Sequence, residues 1–214
     1  VQSIDRQAAR IELKDGWFEA YSHLILAAGA TPRQLPIAGG QSKGVFVLRV
    51  ARDARAIRDH LPATKKAVVI GGGYIGLEAA ASLLHFGGKV NVVEMAPRLL
   101  ARVASPALSE HCTALHRRHD IQLHLGTATQ DIETDISGRI TAVHLADGQE
   151  LDTQLVLAGI GIVPNTALAE AAGLAVDNGI VTGADYLTSD PHISAIGDVA
   201  RAPTINPFRI ESIY

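Results

Sequence analysis

The chain has 214 residues, of which 47% are hydrophobic, so it can bury one large core or two modest ones. A formal net charge of −3, no basic run longer than Lys65-Lys66 or Arg117-Arg118, and 4% aromatic residues argue against nucleic acid as a partner. The apolar region 67–86 is broken by Gly71, Gly72, Gly73 and Glu78, which excludes a membrane span, and the single cysteine excludes an intrachain disulfide in this segment. No secretory signal pattern is visible either, and the expected setting is cytoplasmic.

In chain order, Leu13-Lys14-Asp15-Gly16 reads as a hairpin turn, Leu24-Ile25-Leu26 as a buried strand, and Gly29-Ala30-Thr31-Pro32 as a glycine loop after it. Val68-Val69-Ile70 is a β-branched run that predicts a parallel strand leading into Gly71, Gly73 and Gly76. Gly71 allows a sharp turn, Gly73 allows a pyrophosphate to approach the backbone, and Gly76 allows the next helix to lie close to the sheet. The alanine-rich helix that follows offers unpaired N–H groups and roughly half a positive charge at its start. Val90 to Val93 make the next strand, and Glu94 ends it where a carboxylate can accept both ribose hydroxyls of a dinucleotide. That carboxylate would repel a 2′-phosphate, and the nearest following arginine is Arg98, so NADH is favoured over NADPH.

Ser105 and Pro106 then open a helix on which Cys112 shares a face with Leu108 and Leu115, which reads as a buried structural thiol. His111, His116, His119 and His124 cluster in sequence without a recognised ligand spacing, and no metal is expected. Toward the end, Gly179-Ile180-Val181 and Ile193 to Ile196 read as strands, and Gly197-Asp198 puts a carboxylate at a strand end.

Leu145-Ala146-Asp147-Gly148, Val156-Leu157-Ala158 and Gly161-Ile162-Val163-Pro164 repeat the early segment at a constant offset of 132 residues. Duplication of a nucleotide-binding unit is the reading this supports. By symmetry the first copy's own glycine fingerprint is expected some sixty residues ahead of Val1, in a longer parent of which this chain is a piece.

ILAAGATPR (25–33), LRVARDA (48–54), VVIGGGYIGLEAA (68–80), GIGIVPN (159–165), AIGDVA (195–200) and RIES (209–212) together resemble the flavin-dependent NADH:ferredoxin reductases of the pyridine nucleotide-disulfide oxidoreductase superfamily. The resemblance implies an α/β chain with two Rossmann-like dinucleotide-binding domains, each a parallel sheet with a β-meander. It places the NADH domain (51–169) as an insertion between two segments of the FAD domain (1–50 and 170–214), with a C-terminal domain lying outside the chain. It assigns Gly71, Gly73, Tyr74, Ile75, Gly76, Glu94 and Gly161 to NADH, with Tyr74 and Ile75 near the nicotinamide. Val1, Ala28, Gly29, Arg49, Asp198 and Ile213 are assigned to FAD, and Glu78 is placed near the two rings. Core packing is the plain alternative for Val1 and Ile213.

The implied reaction passes a hydride from NADH to FAD and then single electrons to a ferredoxin or rubredoxin, with no side chain acting as nucleophile. Two other readings stay open: a disulfide reductase or NADH oxidase built on the same nucleotide domains, and an NADH-binding flavoprotein with a regulatory role.

Overall fold

The computed structural model describes residues 1–203 and separates into two compact units. Pro32–Gly161 is continuous, whereas Val1–Thr31 joins the segment that begins at Ile162. One unit is therefore inserted in the chain of the other. The breaks lie earlier than the sequence suggests, at 31/32 and 161/162 rather than 50/51 and 169/170. The reason is strand pairing. Val45–Phe46 is an edge strand of the inserted unit's own sheet, where Val156 and Leu157 pair with it. Asn165, in contrast, donates its backbone N–H to Gly29 O at 3.0 Å, within the discontinuous unit.

The inserted unit has a five-stranded parallel sheet in the order Val45–Phe46, Leu155–Ala158, Lys66–Ile70, Lys89–Glu94, Gln122–Leu125. Both faces are covered at the centre of the sheet, so Leu155–Ala158 and residues 67–70 are apolar throughout instead of alternating with polar residues. The two-residue pleat sorts them: Ala67, Val69, Val90, Val92, Leu155 and Leu157 face a layer that includes Ala79, Ala80 and Leu83 of the helix Tyr74–His85. Val68, Ile70, Val93, Val156 and Ala158 face the meander Thr129–Thr134, Ile140–Leu145, Glu150–Asp152, meeting Ile132, Val143 and Leu145. Val68, Val69, Val92, Leu155 and Val156 are fully buried, and each contributes on the order of 1.5–3 kcal/mol of transfer free energy. Helices, sheet and meander form three layers.

The discontinuous unit carries a second meander, Ser3–Asp5, Arg10–Glu12, Phe18–Ala20. It also pairs Leu24–Leu26 with Ile193–Ala195 and Ile180–Val181 with Ala200–Arg201, both in parallel. Leu26, Leu174, Ile180, Ile193, Ala195 and Val199 make its core.

The sequence repeat is a structural repeat. Arg10, Ile11 and Glu12 pair with Ala20, Glu19 and Phe18, and at the same offset Ala142, Val143 and His144 pair with Asp152, Leu151 and Glu150. The turns agree bond for bond. Gly16 N–H donates to Leu13 O and Gly148 N–H to Leu145 O, each at 3.0 Å, while Asp15 and Asp147 each accept from the backbone N–H two residues on at 3.1 Å. Gly16 and Gly148 have φ of 83° and 86°, which only glycine adopts without strain. No described helix is long and apolar enough to cross a membrane.

Candidate functional site

The residues Gly71 to Gly76 form the turn between the central strand and its helix, and Gly71, Gly72 and Gly76 each sit against a different neighbour. Gly71 has φ +112°, and a methyl group there would lie 2.3 Å from Gly159 O. At Gly76 a methyl would lie 2.1 Å from Gly71 O, so the helix can start this close to the strand only without a side chain. Gly72 is covered by Leu99, whose Cδ2 would be 2.8 Å from an added methyl. Gly73 differs: nothing stands within 4 Å of its Cβ position. It is the N-cap of Tyr74–His85 and no side chain caps that helix, so the first amides are left for an anion.

Glu94 turns back toward this mouth. Its Oε2 accepts the Gly72 N–H at 2.6 Å and its Oε1 accepts the Ala96 N–H at 2.7 Å. One bond per oxygen uses half of the carboxylate's acceptor capacity and leaves lone pairs for two hydroxyls. Arg98 takes no part as a free cation. Its Nη1 donates to Ala104 O at 2.9 Å and Ser109 Oγ at 2.6 Å, and its Nη2 to Ala101 O at 2.8 Å.

Ile75 is exposed beside the mouth, and Glu78 is exposed three residues further along the helix. Tyr74 instead leans on the helix-side core. Gly161 (φ +99°) follows the Leu155–Ala158 strand, and its carbonyl accepts from Arg33 N–H at 2.9 Å. In the discontinuous unit, Ala28 and Gly29 follow Leu24–Leu26, and Asp198 follows the neighbouring Ile193–Ala195. Asn165 fastens the first pair, with Nδ2 donating to Ala28 O at 2.9 Å. Ala28, Gly29 and Asp198 therefore sit at the C-terminal ends of two paired parallel strands, where open α/β sheets place their ligands. Val1 is exposed before the first meander strand, and Arg49 belongs to the inserted unit, where its N–H donates to Asp53. Ile213 and the RIES motif lie outside the described residues.

The helix that Pro106 opens does not bury the face through Leu108, Cys112 and Leu115 that its sequence suggests. On the helix Pro106–Arg118, capped by Ser105, Leu108 and Leu115 are exposed and Cys112 is only half-buried. The inward face is instead marked by Ser109, at 1% exposure, because it must answer Arg98 and Leu99. Among the histidines, His116 Nδ1 donates to Cys112 O and His124 Nε2 to Asn91 Oδ1, which gives both a structural partner. A cluster that the sequence did not suggest lies on the meander, where His144 Nε2 is 3.7 Å from Glu133 and 3.9 Å from Glu150. His144 Nδ1 meets Asp131 Oδ1 at 2.7 Å, and this hydrogen bond raises the imidazole pKa above 6.5.

Residues 1–213 match the pyridine nucleotide-disulphide oxidoreductase family. The chain belongs to that family. Among curated family relatives, putidaredoxin reductase CamA of Pseudomonas putida is 43% identical over 205 residues, covering 94% of this chain and 49% of that protein. Rhodocoxin reductase of Rhodococcus erythropolis is 41% identical over 203 residues, covering 95% of this chain and 47% of that protein. The crystal structure of the ferredoxin reductase for the CYP199A2 system of Rhodopseudomonas palustris matches with a TM-score of 0.93 at 40% identity, over 98% of this chain and 52% of that one. The chain spans about half the length of the curated relatives it matches.

Sequence reasoning overlooked Gly159, Leu99 and Ser109. Gly159 had a signal, as the first residue of the GIGIVPN motif. Leu99 and Ser109 had none, since their roles come from a loop folding back on Gly72.

Proposed function

We propose that the protein is an FAD-dependent NADH:ferredoxin or rubredoxin reductase. The inserted unit binds NADH, and the discontinuous unit supplies part of the FAD site. One observation carries the NADH assignment: Glu94 is held at the glycine turn with acceptor capacity to spare, beside an uncapped helix start. The residues fit a dinucleotide. Gly73 and the open helix mouth hold the pyrophosphate, Glu94 takes the adenine ribose, and Gly71, Gly76 and Gly159 keep the turn tight enough for close approach. Tyr74, by its core contact, steadies the first helical turn, and Ile75 and Gly161 border the nicotinamide end.

On the flavin side, Ala28, Gly29 and Asp198 fit a second dinucleotide, with Asp198 accepting a cofactor hydroxyl. Gly197, at φ +70° with open space around its Cβ position, lets the backbone approach. Val1, Arg49 and Ile213 are assigned to FAD, and Glu78 to the neighbourhood of the rings, by the resemblance alone. The bound flavin supplies the exchange between a two-electron hydride donor and a one-electron iron–sulfur acceptor. The chain's own residues orient the coenzymes and tune the local field, and none needs to act as nucleophile.

The likeness to putidaredoxin reductase and rhodocoxin reductase supports an iron–sulfur electron carrier as partner, and we infer a cytoplasmic setting from the single cysteine. The decisive experiment is NADH-driven reduction of cytochrome c by the whole protein, with and without added ferredoxin or rubredoxin. Turnover that depends on the carrier is expected. Flavin reduction by NADH without carrier-dependent turnover would favour the regulatory or oxidase readings.

A further inference from the structure

The loop that follows Glu94 does more than connect a strand to a helix. It returns to the glycine turn at two points: the Leu100 N–H donates to Gly72 O at 2.9 Å, and Leu99, fully buried, covers the Gly72 α-carbon. At the loop's start, the Ala96 N–H holds the second oxygen of Glu94. The carboxylate is thus clamped between the turn and the loop, and its aim depends on where the loop sits. Leu100 has φ +52°, a left-handed conformation that a leucine adopts only when its surroundings enforce it.

Arg98 spans the bend that follows Leu100. The guanidinium binds Ala101 O and Ala104 O across the bend and reaches Ser109 Oγ on the next helix. Ser109, at 1% exposure, in turn donates to Leu99 O at 2.6 Å. The chain of contacts runs from Arg98 and Ser109 through Leu99 and Leu100 to Gly72, and from Gly72 to Glu94.

We propose that Arg98 and Ser109 are positioning residues for coenzyme binding: they lock the 95–104 loop onto Gly72 and so aim the Glu94 carboxylate at the ribose of NADH. This rests on the NADH reading of the same site. It also means that Arg98 is unavailable to a 2′-phosphate, since the carbonyls it would abandon would lose their donors.

The test is a double-mutant cycle on the whole protein, read as the NADH dissociation constant by fluorescence titration, with folding checked by circular dichroism. Arg98→Met and Ser109→Ala should each weaken NADH, by roughly tenfold for the arginine and less for the serine. In a Glu94→Gln background both effects should largely vanish, because the loop then has no carboxylate to aim. A purely structural role would give the same loss in both backgrounds, and that result, or unchanged NADH affinity in the single variants, overturns the proposal. If Arg98→Met does not fold, Ser109→Ala carries the cycle. If Glu94→Gln alone leaves NADH binding unchanged, the coenzyme reading itself falls, an outcome separate from failure of the clamp.

Discussion

The Gly72 N–H and the Glu94 carboxylate meet at 2.6 Å, so the acid at the end of one strand is bonded to the turn at the end of its neighbour. Each fixes the other: the N–H neutralises part of the carboxylate's desolvation, and the carboxylate satisfies an amide buried under Leu99. Removing the charge should therefore act on the nucleotide. Glu94→Arg is expected to weaken NADH and improve NADPH, changing the preference by roughly tenfold or more. Stopped-flow flavin reduction with each coenzyme checks this, and an unchanged preference would remove Glu94 from the ribose site.

The glycines separate stability from binding. Gly76→Ala places a methyl 2.1 Å from Gly71 O and should destabilise by roughly 1–3 kcal/mol or more, lowering Tm by several degrees. Gly73→Ala meets no atom within 4 Å at φ −84°, so its Tm should stay close to that of the parent. It should nevertheless lose NADH affinity, because the methyl occupies the phosphate's approach. Thermal melts with NADH titrations on both variants check the split.

Asp198→Ala concerns the other unit. If Asp198 accepts a flavin hydroxyl, the variant should purify with less FAD. The ratio of flavin to protein absorbance measures it, and an unchanged ratio would count against the assignment.

A pH effect is expected at the meander. The bond to Asp131, outweighing partial desolvation, raises the folded-state pKa of His144 above 6.5. A raised cation pKa stabilises the fold while the group is protonated, so this contribution is complete below 6.5 and is lost as the pH rises through the folded value. The Tm difference between the parent and His144→Gln should be largest at low pH and shrink toward alkaline pH. A constant difference across the range would show that the imidazole acts by packing alone.

The local backbone geometry of the candidate site was legible in the chain itself. Gly71, Gly73, Gly76 and Glu94 carry their meaning through short spacing, because a strand, a turn and a helix start are fixed by neighbours within a few residues. The Asp15-Gly16 and Asp147-Gly148 turns are of the same kind, and the constant offset exposed the duplication that the pairing register then displayed. Only the tertiary structure could assign segment 32–50 to the inserted unit, turn Ser109 inward instead of Leu108 and Leu115, or commit Arg98 to Ala101, Ala104 and Ser109. Those outcomes depend on which distant strand pairs with Val45 and which buried amide a folded-back loop must satisfy. Such contacts leave no period in the sequence, since they are decided by competition for partners across the folded chain.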